Sequence, residues 1–351
     1  MSHEPTTVAV LLGSAASKVG TADPRVFKTI SLYMPALLPA PHCEIDIPPP
    51  VQTAGLVGLG LLYCSSGHRM MAEFLLSEIS RSPSPDHPEC REAMVSAAAW
   101  SLGMILLGKG SSDNLSSQKA ERAPATPAVP RHRGGDSSLS SGNTEALRGL
   151  QDLRIENRLL QFIDGGKHPG ESALFPSHTT VDISSRSSRL LEGQDINVNV
   201  TAPGATIALG LIFIYSKNHE ISQRLALPST TVALESMWSD LLLYRAVARC
   251  LVLGESVQPT NEWILSQIPG PITRIVFPDK TDTSRSGVGA NVKKDPKLLY
   301  QNGRKLSPRI ALSHYLCSIS GFCLGIGLVH AGTSNHSVKQ TILDILKLLQ
   351  R

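Results

Sequence analysis

A leucine–glycine pair, answered seven residues after its glycine by a second glycine, recurs along this chain and limits what it can fold into. Leu12-Gly13 is followed by Gly20, Leu59-Gly60 by Gly67, Leu102-Gly103 by Gly110 and Leu324-Gly325 by Gly332. Leu209-Gly210 has Lys217 at the second place with Asn218 beside it, and Leu253-Gly254 has Asn261. Asn follows Gly as the residue that best accepts a left-handed helix cap, so these two units keep partly compatible chemistry. The paired glycines stand 47, 43, 107, 44 and 71 residues apart. A period of 43–47 residues belongs to helical solenoids, and the longer gaps mark inserted loops or a degenerate unit.

Each unit reads as a helical hairpin. The first helix is small and apolar on nearly every face, as in the run from Val51 to Tyr63, and a helix without a polar side must be buried all round. Glycine costs such a helix about 0.8–1 kcal/mol per residue relative to Ala. That cost is reasonable if the missing side chains let neighbouring helix axes approach closely, while the terminal glycine ends the helix in the left-handed conformation. The second helix is amphipathic. Val338, Ile342, Ile345, Leu346 and Leu349 fall on one face and leave Lys339, Asp344 and Lys347 for water; Met70, Met71, Phe74, Leu75 and Ile79 repeat the pattern. Asp23-Pro24 supplies a cap followed by proline at the first helical position. The expected fold class is therefore all-α, a solenoid of hairpins with small inner helices covered by amphipathic outer ones. Its units lie near 6–38, 51–79, 91–163, 200–228, 233–268 and 309–350.

Three stretches interrupt the array. Ser111 to Gly149 is rich in Ser, Pro, Ala and Gly and is expected to be a disordered insert within the third unit. Residues 165–199 form a polar connector, closed by Glu192 to Val200, where Ile196, Val198 and Val200 alternate like one short strand. Residues 269–308 read as a basic loop. From Pro269 to Arg309 nine Lys/Arg face Asp279, Asp282 and Asp295, a net +6 that exceeds the whole chain's +4. A solvated loop is the plain reading and an acidic protein partner the sharper one; no aromatic interleaving supports nucleic acid.

Composition excludes several classes. Aromatics are 5% and charged residues 18%, against about 25% charged in typical domains, so Ala, Leu, Val, Ile and Gly carry the apolar mass. Cys43, Cys64, Cys90, Cys250, Cys317 and Cys323 are scattered without a CxxC pair, which fits neither a disulfide scaffold nor a zinc ribbon. The eleven histidines show no HExxH; His68, His219 and His336 each follow a turn, where a polar residue starts the outer helix. Gly55-Leu-Val-Gly58-Leu-Gly60 follows three prolines and lies inside a helix, so it lacks the strand that a dinucleotide loop requires. No GxSxG elbow is present, and no nucleophile, base and oxyanion donor come together, so neither an enzyme nor a cofactor or metal site is expected. Ala311 to Gly332 is long enough to span a bilayer, but serines, His314 and His330 interrupt it. A multi-pass membrane protein is thus an alternative that the repeat disfavours, and no membrane or nucleic-acid partner is expected. Ser82, Ser84, Thr126 and Ser307 each precede proline, a minimal pattern for proline-directed phosphorylation.

The Leu-Gly-x6-Gly hairpin resembles the proteasome/cyclosome (PC) repeat, found in two large non-ATPase subunits of the proteasome regulatory particle and in the largest subunit of the anaphase-promoting complex, or cyclosome. The likeness to the cyclosome member is closer. It rests on Gly58-Leu-Gly-Leu-Leu-Tyr63, Gly67-His68-Arg69 and Ala72-Glu73, on Glu192-Gly193 with Ile196-Asn197-Val198, and on Val200-Thr-Ala-Pro-Gly-Ala-Thr206. Ala248-Arg249-Cys250-Leu251 and Pro35-Ala-Leu-Leu-Pro39 add to it. The resemblance covers most of Thr6 to Leu349. It implies a ring-forming, non-catalytic scaffold of a multi-subunit ubiquitin ligase that controls mitotic progression, in nucleus and cytoplasm. The implied neighbours are a cullin subunit, a DOC-domain subunit and the substrate-recruiting coactivator. A proteasomal scaffold is the alternative within the same repeat class. Relative to the family pattern the chain starts inside the array, without the N-terminal propeller and later C-terminal region, so these units alone are not expected to close a ring.

Overall fold

Short polar residues and prolines start the helices, because each supplies or removes a need for the unpaired N–H groups of a first turn. Asp23 accepts from the Arg25 amide at 2.8 Å ahead of Pro24, and Ser307 accepts from Ile310 at 3.3 Å ahead of Pro308. His68 does the same through Nδ1, 3.4 Å from the Met71 amide. The structure, a computed structural model, describes residues 3–38, 47–81, 90–110, 150–165, 196–277 and 306–349, which fall into two compact units, Met1–Asn218 and His219–Arg351. Ser111 to Gly149 lies outside the described residues.

In the first unit, four apolar helices stand side by side in chain order: α1 (Glu4–Ala16), α3 (Pro49–Leu62), α5 (Arg91–Ile105) and α7 (Val198–Ile212). Each packs on the next. Three amphipathic helices cover them: α2 (Pro24–Ser31), α4 (Arg69–Ser80) and α6 (Ile155–Asp164). Every outer helix leans on the inner helix of the following hairpin, α2 on α3, α4 on α5 and α6 on α7. Leu56, Leu59, Leu62, Leu102, Ile105 and Leu209 are fully or almost fully buried between the layers, with Leu75, Ile79, Leu159 and Phe162 from the outer side. Two buried hydroxyls stitch helices together. Ser101 Oγ donates to the Leu56 carbonyl at 2.8 Å and Thr201 Oγ1 to the Phe162 carbonyl at 2.7 Å.

The second unit contains α8 (His219–Arg224), α9 (Thr231–Ser236), α10 (Ser239–Leu253), α11 (Asn261–Ser266), α12 (Gly270–Val276), α13 (Pro308–Val329) and α14 (His336–Leu349). Its core is the α10–α13 pair, with Leu242, Ala246, Ile319, Phe322 and Ile326 all inaccessible. The Trp263 ring on α11 meets Phe322 edge-on at 5.7 Å. His314 lies buried in this core. Its Nε2 donates to the Leu234 carbonyl at 2.7 Å, and Nδ1 pairs with the Ser239 hydroxyl at 2.8 Å. One imidazole thus ties α9, α10 and α13 together. By length and composition α13 is long enough to cross a membrane, yet half of its most apolar window is buried in the unit.

Two expectations are corrected. Ile196, Val198 and Val200 do not form a strand: Asn197 accepts from the Asn199 amide and Val198 opens α7, so the β-branched residues join a helix whose apolar face is covered. Their alternation spans too few residues to outweigh that burial. No strand occurs among the described residues. The basic loop of 269–308 begins as helix, since Pro269 and Pro271 frame the first turn of α12 and Ile272 is buried; residues 278–305 lie outside the described residues.

A Cβ on Gly60 would stand 2.7 Å from Ser101 Cα, so Gly60→Leu is expected to overpack the α3–α5 contact and cost at least about 1–3 kcal/mol. Gly13 on α1 has nothing within 4 Å of that position, so Gly13→Leu is expected to leave stability unchanged or slightly raised. Circular dichroism melts of both variants test this, and equal midpoints would contradict the packing assignment.

Candidate functional site

The feature of the fold most plainly built from its special residues is the edge that each inner helix presents to the next. Contacts recur at fixed offsets. Gly60 faces Ser101 and Met104, and Gly103 faces Ala208, whose Cα would lie 2.8 Å from an added Cβ, and Leu211. Gly58 faces Ala15, and Gly325 faces Cys250, 2.7 Å from its Cβ. Counting from these contacts, Ala15, Gly60, Gly103 and Cys250 occupy one column that touches the following helix. Gly58, Ser101, Ala208 and Gly325 form a second column, two residues before the first, that touches the preceding helix. A third column four residues earlier behaves alike in both units. Gly204 would place a Cβ 2.9 Å from Ser96 Cα and Ala99 Cβ, and Gly321 one 2.9 Å from Leu243 Cα and 2.8 Å from Ala246 Cβ.

The turns add a backbone ladder. Five and seven residues after the first column, two amides reach sideways to the last carbonyls of the next inner helix. Gly20 and Ala22 donate to Leu61 and Leu62, both at 3.0 Å; Ser65 and Gly67 to Met104 and Ile105, at 2.8 and 3.0 Å; Gly108 and Gly110 to Leu211 and Ile212, at 3.1 and 2.9 Å. These carbonyls are the acceptors an α-helix leaves unpaired at its C-terminus, and the neighbouring hairpin satisfies them. Ala22 (φ 50°) and Ser65 (φ 59°) hold the left-handed conformation despite their Cβ atoms, as do Tyr215 and Lys217 (both φ 56°). A tertiary hydrogen bond at each of the first two positions offsets a steric cost of roughly 1–2 kcal/mol.

The sequence pairs map onto this geometry unevenly. Gly60 and Gly103, with Leu59 and Leu102 buried beside them, hold the first column, and Gly210 with buried Leu209 falls there by its distance to the turn. Leu12-Gly13 and Leu324-Gly325 sit two residues early, in the second column; Ala15 and Gly327 take the first. Gly254, after Leu253, lies beyond the helix, where it ends α10 with φ 55°, and Cys250 replaces it. The seven-residue spacing also merges two turn positions. Gly20 and Gly332 (φ 70° and 78°) hold the first, with Gly108; Gly67 (φ 66°) and Gly110 hold the second. Gly110 is not left-handed: a Cβ there would strike the Phe213 ring at 2.7 Å. Ala15, Ala22, Cys250 and Ser65 escape a search for glycine because the geometry asks for small size or a tolerated turn.

Other candidates are plainly placed. His68, His219 and His336 stand at the starts of α4, α8 and α14. Ser307 is the cap of α13, while Ser82, Ser84 and Thr126 lie outside the described residues. Among the described residues no three His, Cys, Asp or Glu converge as metal ligands. The charges that lie inside have structural surroundings. Buried Arg245 donates through Nη1 to the Arg224 and Ala226 carbonyls at 3.0 and 3.2 Å. Burial raises the Glu78 carboxyl, with Arg81 opposing.

The family model described as APC1 fifth domain matches residues 24–351. The chain belongs to the APC1 family. Relatives called Anaphase-promoting complex subunit 1 in Mus musculus and Homo sapiens are 32% identical over 337 residues, which is 95% of this chain and 15% of each relative. The Dictyostelium discoideum protein of that name is 29% identical over 398 residues, 99% of this chain and 16% of its own. A protein called Negative regulator of mitosis in Emericella nidulans is 27% identical over 349 residues, covering 98% and 13%. This APC1-family chain therefore spans about 15% of the length of those two mammalian relatives.

Cys250, at a close α10–α13 contact, gives a measurable signature. Burial pushes its thiol up to about 12, with Arg249 pulling the other way. The folded chain then keeps a proton that the unfolded chain releases near pH ~8.5. Its contribution is whole below that value and is lost as pH rises toward 12, at about 1.4 kcal/mol per pH unit. Urea unfolding from about pH 9 to about pH 11 is expected to show a shallower loss of stability in Cys250→Ala than in the parent. Identical slopes would refute the assignment.

Proposed function

We propose that the chain is a non-catalytic scaffold segment of the anaphase-promoting complex, built from PC-type repeats, in a ubiquitin ligase that acts in mitosis. The observation that carries this is the family match across residues 24–351, joined to a ladder of inner helices whose small residues and turns serve helix-to-helix contact. The side chains with special chemistry are spent on the fold: His314 on three helix segments, Arg245 on two carbonyls and Ser101 on a neighbouring helix. A stacked array of this kind works by presenting extended surface, since each unit contacts its neighbours and leaves its outer faces for partners.

The finer reading keeps the neighbours implied by the resemblance: a cullin subunit, a DOC-domain subunit and a coactivator, in nucleus and cytoplasm. Affinity purification of the native protein at its own expression level tests both levels. Recovery of a cullin–RING pair with other cyclosome subunits is the expected result. Recovery of proteasomal ATPases in their place would transfer the chain to the other assembly that uses this repeat, and a membrane-pellet fraction free of either would reject the scaffold reading.

A further inference from the structure

The end of α4 collects arginines from three helices. Arg81 closes α4 and pairs with Glu78 at 2.6 Å. Arg91, the first residue of α5, donates through Nη1 to the Arg81 carbonyl. Arg158, one turn into α6, donates through Nη2 to the Ser80 hydroxyl at 3.3 Å. Guanidinium groups from α5 and α6 thus converge on consecutive residues, Ser80 and Arg81, beside a third group on α4 itself. All three helices lie within the first unit.

A helix C-terminus attracts cations, because its last carbonyls carry partial negative charge, and that accounts for Arg81 and Arg91. It does not account for Arg158. This side chain is half-buried, and burial holds its pKa below the ordinary arginine value with no carboxylate opposing. Its Nε is buried and meets no hydrogen-bond acceptor. A guanidinium has five N–H donors and stays charged in proteins. Here one neutral hydroxyl is its acceptor among the described residues. A buried cation with unfilled donors costs free energy until an anion joins it. Glu78 does not serve, since it is itself buried and committed to Arg81.

The ligand that suits such a cluster is a tetrahedral oxyanion, because guanidinium forks match phosphate oxygens in pairs. A phosphoserine brings about −1.5 to −2 of charge and three acceptor oxygens. Ser82-Pro83 and Ser84-Pro85 follow Arg81 directly in sequence. They lie outside the described residues, so the site consists of the arginines alone. We propose that Arg91 and Arg158, with Arg81 at the rim, form a receptor site for the phosphate of a phosphoserine. The phosphate oxygens accept from Nε and the remaining Nη protons of Arg158, and they clamp α4, α5 and α6 together. Two sources share this chemistry: a phosphoserine made within this chain at Ser82 or Ser84, and one carried by another protein. The site reads the modification and does not make it.

Nuclear magnetic resonance of the arginine Nε–H groups in the 351-residue chain tests the proposal. Free O-phosphoserine is added up to about 10 mM, with sodium chloride lowered in step to hold the ionic strength constant. The Arg158 signal, assigned by its absence in Arg158→Lys, is expected to move saturably, while plain serine leaves it in place. Arg91→Gln is expected to weaken binding at least about tenfold, since hydrogen bonds between charged groups are the strong ones. The source is read from chain treated with a proline-directed kinase, beside a Ser82→Ala, Ser84→Ala double variant treated alike. For a phosphate from within, the treated parent already shows the saturated Arg158 signal and the double variant does not. For a phosphoserine from another protein, both still respond to added ligand. An Arg158 signal that stays fixed at every concentration, or moves equally when chloride alone is varied, would overturn the proposal. The parent titration decides this whether or not the variants fold as the parent does.

Discussion

Close approach of helix backbones governs the rest of this structure. Where Gly60 meets Ser101 and Gly103 meets Ala208, a single added methyl would fall well inside van der Waals contact. The small residues bring the helix C-termini near enough for the preceding turn to reach their last carbonyls. Those sideways hydrogen bonds answer a need that every helix has at its end. Removal of the close approach would leave both the carbonyls and the left-handed turns without reason. The apolar character of the inner helices follows as well, because a helix flanked on both sides and covered by an outer layer has little surface left for water.

The outer layer obeys a different constraint. In the first unit each amphipathic helix covers the inner helix of the following hairpin, so a hairpin there is not a self-sufficient unit. Ile30 and Met34, at and beyond the end of α2, fill the space left by Gly55 and Gly58 of α3. Glycine in the inner layer therefore serves two kinds of neighbour, the adjacent backbone and the outer side chains. In the second unit the same logic is carried by larger groups: Cys250 stands where glycine stands elsewhere, and His314 replaces apolar contact with two hydrogen bonds.

The hairpin plan, the all-helical class and the buried inner layer could be read in the chain because periodicity and bare glycines survive without knowledge of contacts. Register could not. Gly13 and Gly325 look equivalent to Gly60 in sequence, yet the turns show them two residues out of step, because the spacing of seven counts two distinct turn positions as one. Ala15 and Cys250 were invisible for a physical reason: the site selects for volume, which several residue types meet. The strand expected at Ile196 to Val200 failed because three alternating residues carry less weight than the twelve helical ones that follow. The short helices α9, α11 and α12 escaped notice because six or seven residues hold too few turns to show a period.

The sideways bonds have one more consequence. Gly20 reaches Leu61 across 41 positions and Gly108 reaches Leu211 across 103, at nearly the same distance, 3.0 and 3.1 Å. The junction between neighbours is thus indifferent to how much polypeptide runs between them. Lengthening such a tether costs only about 0.6 kcal/mol of closure entropy per doubling. An architecture clasped rung to rung can take up new segments at its connections, and acquire new points of regulation, without renegotiating its frame.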